Sequence, residues 1–254
     1  MIKTDILIIG AGPTGLFTVF EAGLLKMKCH ILDSLTQPGG QCIELYPKKP
    51  IYDIPGYPEI IAGDLIENLL EQIKPFQPSY TLGETALNLD KLHDGSFKVT
   101  TDKGTEILAK IIAIAGGLGT FTPRKPNISN ISDYEDKGVL YMIKDPGEFK
   151  DKTVVIAGGG DSALDWSIHL SKISKKVILI HRRNEFRGAN DSVASVQKLK
   201  DLGKIDVITP AQVEKLNGKS RLESIIIDVD GNKSKIETDY FIPLFGLVPK
   251  LGPI

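Results

Sequence analysis

The sequence predicts an α/β chain of two doubly wound units, each with its own β-meander, and three observations carry that expectation. An apolar strand, a glycine turn, a helix and a second strand occur in that order twice, from Ile6 and again from Val154. After each set the helical period gives way to short β-branched runs cut by turn residues. Each such stretch closes on an apolar run that ends in glycine, Ile111 to Ala115 before Gly116 and Phe241 to Phe245 before Gly246. The order repeats as an internal duplication at the level of architecture.

The second set is the more telling. Val154 to Ala157 leads into Gly158, Gly160 and Ala163, a G-x-G-x-x-A pattern. The first glycine permits a tight turn and the second lets backbone approach a pyrophosphate. The small third residue lets helix pack on strand, and the helix N-terminus, here with Asp161 and Ser162, faces the phosphates. A helical pattern runs through Ala163, Leu164, Ile168 and Leu170, and the strand Val177 to Ile180 ends on His181, Arg182 and Arg183, with Arg187 just beyond. A ribose contact is expected at that strand end. Guanidinium groups suit a 2′-phosphate there, whereas a carboxylate would repel it. Between Lys172 and Gly188 stand six Lys/Arg and one acid, Glu185, so a solvated basic face is the competing reading. Placement at the end of the second strand of a nucleotide motif favours NADP.

In the first set, Ile6 to Ile9 precede Gly10, Gly12 and Gly15, a complete G-x-G-x-x-G, and a helix over Leu16 to Leu25 leads to the strand ending at Asp33. Asp33 lies 23 residues after Gly10, and an acid about 20 residues past such a motif binds ribose hydroxyls. The two motifs therefore end in opposite charge. FAD at the first and NADP at the second is the simplest pairing.

Between the two sets, Thr36 to Pro58 is dense in Gly, Pro and Tyr and shows no helical period. Long loops of this kind are usually functional. Tyr46 and Tyr52 are candidates to present a flat face to a flavin ring, against the plainer reading that they pack a surface loop. Ala62 to Ile73 reads as an amphipathic helix, and Glu84 to Ala115 as a meander turning at Asp94-Gly95 and Asp102-Lys103-Gly104. Turns at Asn217-Gly218 and Asp230-Gly231 frame strands Ile225 to Val229 and Ile236 to Tyr240 in the second copy. Gly10 to Gly116 spans 106 residues and Gly158 to Gly246 spans 88, and the Thr36 to Pro58 loop is the obvious extra piece. It belongs to the FAD copy alone, where a flavin would need covering.

Composition bounds the rest. The chain has 254 residues, 41% hydrophobic and 25% charged, with 31 basic and 32 acidic side chains for a net charge of −1. That is ordinary for a soluble globular protein and sets up no global field to recruit nucleic acid or an anionic membrane. Cys29 and Cys42 form neither a C-x-x-C pair nor a disulfide framework, which suits a reducing compartment. The four histidines show no metal-ligand spacing with them, so no metal is expected. The apolar run after Lys3 is cut by Asp5 and then by Gly10, Gly12 and Pro13, which reads as a buried strand and not a signal peptide. A cytoplasmic location is expected. Asn127-Ile-Ser and Asn130-Ile-Ser match the glycosylation pattern but carry no weight in that setting.

The stretches GAGPTG, GGQCIELYPKKPIYDIPGYP, GGGDSALDW and HRRNEFR resemble the thioredoxin-reductase-like flavoproteins, and within them the ferredoxin–NADP⁺ reductases of that type. The resemblance covers essentially the whole chain. It implies an NADP domain inserted in an FAD domain, a homodimer, and FAD contacts from Thr14, Asp33, Gln41, Tyr46, Ala86 and Phe121, with Tyr46 stacked on the isoalloxazine. Expected domains are 1–117 for FAD, 118–235 for NADP and 236–254 as a return segment.

Two departures stand out. Thioredoxin reductases carry a C-x-x-C just before the second glycine motif; here Leu140 to Pro146 contains no cysteine. Cys42 has no nearby thiol partner and reads as a small buried hydrophobe, so dithiol exchange is not expected. The family also continues past the Gly-Leu-Val-Pro of Gly246 to Pro249 with a Gly-Asp motif and a further piece over the flavin. This sequence ends at Ile254, as a fragment or an incomplete sequence would. The expected activity is electron transfer from NADPH through FAD, singly, to ferredoxin or flavodoxin. The alternatives are a broad-specificity quinone or flavin reductase, or a nucleotide-binding module without turnover. The cofactor carries such chemistry, and no catalytic acid or base is nominated.

Overall fold

Burial on both faces is what makes the first strand, Ile2–Ile9 (β1), so uniformly apolar: Ile6, Leu7 and Ile8 are all buried, on alternating sides. The computed structural model describes residues 1–252, without the side chain of Phe121. The chain then runs through α1 (Pro13–Leu24), β2 (Cys29–Asp33), α2 (Gln41–Glu44), β3 (Pro50–Ile51), β4 (Ile60–Ile61) and α3 (Ala62–Ile73). Next come β5 (Ser79–Leu82), β6 (Ala86–Lys91), β7 (Phe97–Thr101), β8 (Glu106–Ile114) and β9 (Thr120–Pro123). The second half holds β10 (Thr153–Ala157), α4 (Asp161–Leu170), β11 (Lys176–Ile180), α5 (Asn190–Asp201) and β12 (Asp206–Ile208). It ends with β13 (Gln212–Asn217), β14 (Ser224–Val229), β15 (Asn232–Glu237), β16 (Tyr240–Pro243) and β17 (Leu247–Lys250).

Two units emerge, Met1–Phe121 with Pro249–Ile254, and Thr122–Val248. In the first, the sheet order is β5-β2-β1-β8-β7-β6. The strands β5, β2, β1 and β8 are parallel, with Ile6 opposite both Cys29 and Ile111. Helix α1 begins at Pro13, three residues before the expected start, because proline's missing N–H costs nothing at the first helical position. Helix α3 spans the residues its periodicity predicts and buries Ala62, Ile66 and Ile73 in one core with Leu16 and Val19 of α1.

In the second unit, β12, β11, β10 and β16 form a four-stranded parallel sheet, and β13, β14 and β15 a separate antiparallel one. The duplication is therefore not exact. In the first unit the nine-residue β8 serves twice, pairing with β7 at one end and along β1. In the second, the chain breaks at Thr238-Asp239 between the meander and β16. Asp239 exchanges its backbone N–H and a carboxylate oxygen with the Thr153 backbone, both at 2.9 Å, which holds the break against the start of β10.

That arrangement moves the expected boundary at 235/236. Ile236 sits in β15 opposite Ile225, and Phe241 in β16 lies opposite Val155. The segment read as returning to the first unit thus belongs to the second as far as Val248. Helix α5 and strands β5 and β12 were not anticipated. The mostly polar α5 buries little beyond Val196, and β5 and β12 are three- or four-residue edge strands too short to show a period.

Candidate functional site

In an open parallel sheet, ligands bind beyond the carboxyl ends of the strands where the connections diverge to opposite sides. That place falls at Gly10, between the ends of β1 and β8, and at Gly158, between the ends of β10 and β16. Gly10 has φ +111°, and a Cβ there would collide with the Ala115 carbonyl. A Cβ on Gly158 would lie 2.7 Å from the Leu244 carbonyl. Gly15 backs directly onto the Gly10 carbonyl, and a Cβ on Gly158 would come 2.8 Å from Cβ of Ala163, so each third small residue lets its helix close on its strand.

Gly12 and Gly160, the middle glycines, are different. A Cβ on either meets nothing within 4 Å. Both are helix N-caps without a side-chain cap, so the first-turn N–H groups of α1 and α4 face that open space. Thr14 and Ser162 occupy the same motif position and are both exposed. Each cradle fits a pyrophosphate by this test.

Asp33 closes the first cradle. Its carboxylate accepts the Ala11 N–H at 2.6 Å and the Leu35 N–H at 2.8 Å, tying the end of β2 to the glycine turn. The Gly39-Gly40 turn of the long loop docks on the same turn. The Gly39 N–H donates to the Ala11 carbonyl at 2.8 Å, and Gly40 (φ +55°) backs onto Cα of Gly12. This loop is less bare than expected, for it holds α2 and β3, and β3 pairs with β4 just beyond it. The Gln41 amide nitrogen would lie 3.7 Å from a Cβ on Gly117, which brings it to the loop after β8. Tyr46 is half-buried and hydrogen-bonds the Cys42 thiol; burial, with the neighbouring thiol, pushes its pKa up to about 12. The Lys49 ammonium lies over its ring, 5.8 Å from the centroid. Tyr52 is exposed. Ala86 is buried beside Leu32 in a second core, and the Phe121 side chain lies outside the described residues.

In the second cradle Arg182, Arg183 and Arg187 are exposed, while His181 is 6% exposed. The imidazole lies under the glycine turn, where a Cβ on Gly159 would run into the ring. It stacks on Phe186 at 5.4 Å, and its Nε2 is buried without a partner. Burial foremost, then the nearby guanidinium charges, lower its pKa. The Arg187 N–H donates to the Gly159 carbonyl at 2.6 Å, and the Ala189 N–H donates to Asp161 Oδ1 at 2.7 Å. The arginine-bearing loop is thus folded back onto the glycine turn. Nothing in the residue spacing announces the Asp161 contact; an acid at a helix start reads first as a dipole partner.

The model of the pyridine nucleotide-disulphide oxidoreductase family matches residues 4–252. The chain belongs to that family. Among similar curated proteins, one named ferredoxin–NADP reductase, from Flavobacterium johnsoniae, is 68% identical over 254 residues, which is all of this chain and 73% of that protein. Another of that name, from Wolbachia pipientis wMel, is 48% identical over 99% of this chain and 75% of its own. Among solved structures, the thioredoxin reductase of T. acidophilum superposes with a TM-score of 0.82 at 25% identity, covering 97% of this chain and 78% of that one. That of Lactococcus lactis gives 0.80 at 24% identity, covering 96% and 78%. The two doubly wound units are thus the fold of the family.

Against that background Cys29 and Cys42 are both buried and free. Burial raises both thiol pKa values. Among the described residues no group of three or more His, Cys, Asp or Glu side chains is placed to hold a metal ion, and no helix is long and apolar enough to cross a membrane.

Proposed function

We propose that this chain is an FAD-dependent NADPH oxidoreductase that delivers electrons singly to ferredoxin or flavodoxin, acting as a cytoplasmic homodimer. The observation that carries the reading is the pair of like cradles ending in unlike charge, a carboxylate at Asp33 and three guanidinium groups after His181. FAD fits the first cradle through Gly10, Gly12, Thr14, Gly15 and Asp33, with Gln41 and Tyr46 toward the flavin; Ala86 and Phe121 are the further contacts that the family resemblance implies. NADP(H) fits the second through Gly158, Gly160 and Ser162, with Arg182, Arg183 and Arg187 on the 2′-phosphate. A flavin supplies the conversion between hydride and single-electron chemistry. The chain's own part is to bind and orient. Asp33 offers its remaining acceptor capacity to ribose hydroxyls, and the arginines neutralise a phosphate dianion. With no cysteine from Leu140 to Pro146 and both thiols buried, electrons leave without a dithiol relay.

The test is optical and then kinetic. Protein purified with FAD should be yellow, bleach on adding NADPH under argon, and reduce ferredoxin or flavodoxin in turnover. Turnover with quinones alone would favour a broad-specificity reductase. Protein that holds no flavin, or holds it without bleaching, would sink the proposal.

A further inference from the structure

We infer that Asp161 is a positioning residue for coenzyme choice: its carboxylate holds the arginine loop at the height where a 2′-phosphate is met, and it does not itself contact the coenzyme. This rests on the reading of Arg182, Arg183 and Arg187 as the 2′-phosphate site.

An acid at the first position of α4, beside a cradle for an anion, looks misplaced on charge alone. The structure shows where its charge is directed. Asp161 Oδ1 accepts the Ala189 N–H at 2.7 Å, across 28 residues of chain. The loop is close-packed at that point, since a Cβ on Gly188 would lie 2.5 Å from Leu164 Cδ1 and 3.1 Å from Asp161 Oδ1. One turn further along α4, Asp165 accepts from the Ser192 hydroxyl at 3.1 Å, joining α4 to the first turn of α5. At the loop's start the His181 ring lies under Gly159, and near its end the Arg187 N–H donates to the Gly159 carbonyl, two residues before the Ala189 tie. Between these ties stand the exposed arginines. The Ala189 bond is charge-assisted, and it lies next to Arg187 and Gly188.

The test uses probes that need neither flavin nor turnover. Adenosine 2′,5′-bisphosphate and AMP would be titrated calorimetrically into the full protein and its variants. Asp161→Ala should weaken the bisphosphate roughly tenfold and leave AMP within about twofold. Asp161→Asn, which keeps an acceptor oxygen, should retain most of the discrimination. Ala189→Pro deletes the donor and leaves the acid in place, at a residue whose φ of −54° proline can adopt. It should match Asp161→Ala, and it keeps the proposal testable if Asp161→Ala does not fold. Tightening of both probes in Asp161→Ala would mean that the acid only repels phosphate, and equal loss of both would mean general damage. Either result, or equal losses in Asp161→Asn and Asp161→Ala, overturns the proposal. Arg182→Ala/Arg183→Ala is the separate control. If it leaves the ratio of the two affinities unchanged, the arginine site itself is wrong and the Asp161 inference falls with it.

Discussion

Asp33 and His181 occupy the same place in two copies of one motif, 23 residues after Gly10 and 23 after Gly158. Each follows a strand residue whose carbonyl accepts the first glycine's N–H, Leu32 to Gly10 at 2.8 Å and Ile180 to Gly158 at 3.0 Å. From there they diverge. Asp33 turns a carboxylate onto the Ala11 N–H, and His181 slides an imidazole beneath Gly159. One place on the fold thus serves a polar latch in one unit and an aromatic floor in the other.

Asp33→Ala should weaken FAD retention by roughly tenfold to a hundredfold, since it removes a charged acceptor for two backbone N–H groups as well as the proposed ribose contact. The measurement is flavin absorbance per protein after gel filtration. Undiminished flavin would separate Asp33 from the site.

Gly159→Ala and Gly160→Ala should split stability from binding. A methyl on Gly159 meets the His181 ring, and overpacking of that kind costs about 1–3 kcal/mol, visible as a lower Tm. Gly160 has extended backbone and open space, so its alanine variant should fold normally and lose NADPH affinity. Equal Tm losses in the two variants would contradict this geometry.

Stability should fall on mild acidification. Both ring nitrogens of His30 meet hydroxyls, Nδ1 with Ser79 at 2.7 Å and Nε2 with Thr81 at 2.9 Å, and burial lowers its pKa from 6.5. His181 is shifted the same way. The unfolded chain therefore binds protons first, so stability is full above about pH 6.5 and is lost as the pH drops from there toward the depressed folded values. Urea midpoints at about pH 7.5 and 5.5 would show the drop, and His30→Gln should reduce it. A midpoint that rises on acidification would mean that the folded chain binds these protons first.

Both thiols should be slow to react in the native state. Burial raises their pKa values from 9.0, so the thiolate is scarce at neutral pH and access is closed. Ellman's reagent should titrate both cysteines only after unfolding. Rapid native reaction of Cys42 would reopen a redox role for it.

What could be read from residues alone followed how local the signal is. The glycine motifs, their opposite strand ends and the span of α3 are written in adjacent residues and in period, and the structure bears out those elements. The boundary near 235 failed because β15 and β16 are separated only by Thr238-Asp239, and pairing partners 11 and 86 residues away decide where they belong. That β8 serves both β7 and β1 is not written in its residues, because one strand serving two neighbours has the same pattern as one serving a single neighbour. His181 reads with the arginines as a coenzyme contact, and the structure adds that its ring lies under the turn, a placement that depends on Gly159 lacking a side chain. The Asp161–Ala189 tie had no local signal at all, since it joins a helix start to a loop 28 residues on.

The loop after β11 is seated by backbone atoms of Arg187 and Ala189, not by the tips of its arginines. Its course and its charge are therefore encoded separately. On the proposed NADP reading, a lineage drifting toward the unphosphorylated coenzyme would need new side chains at two or three exposed positions, with the route of the main chain inherited unchanged.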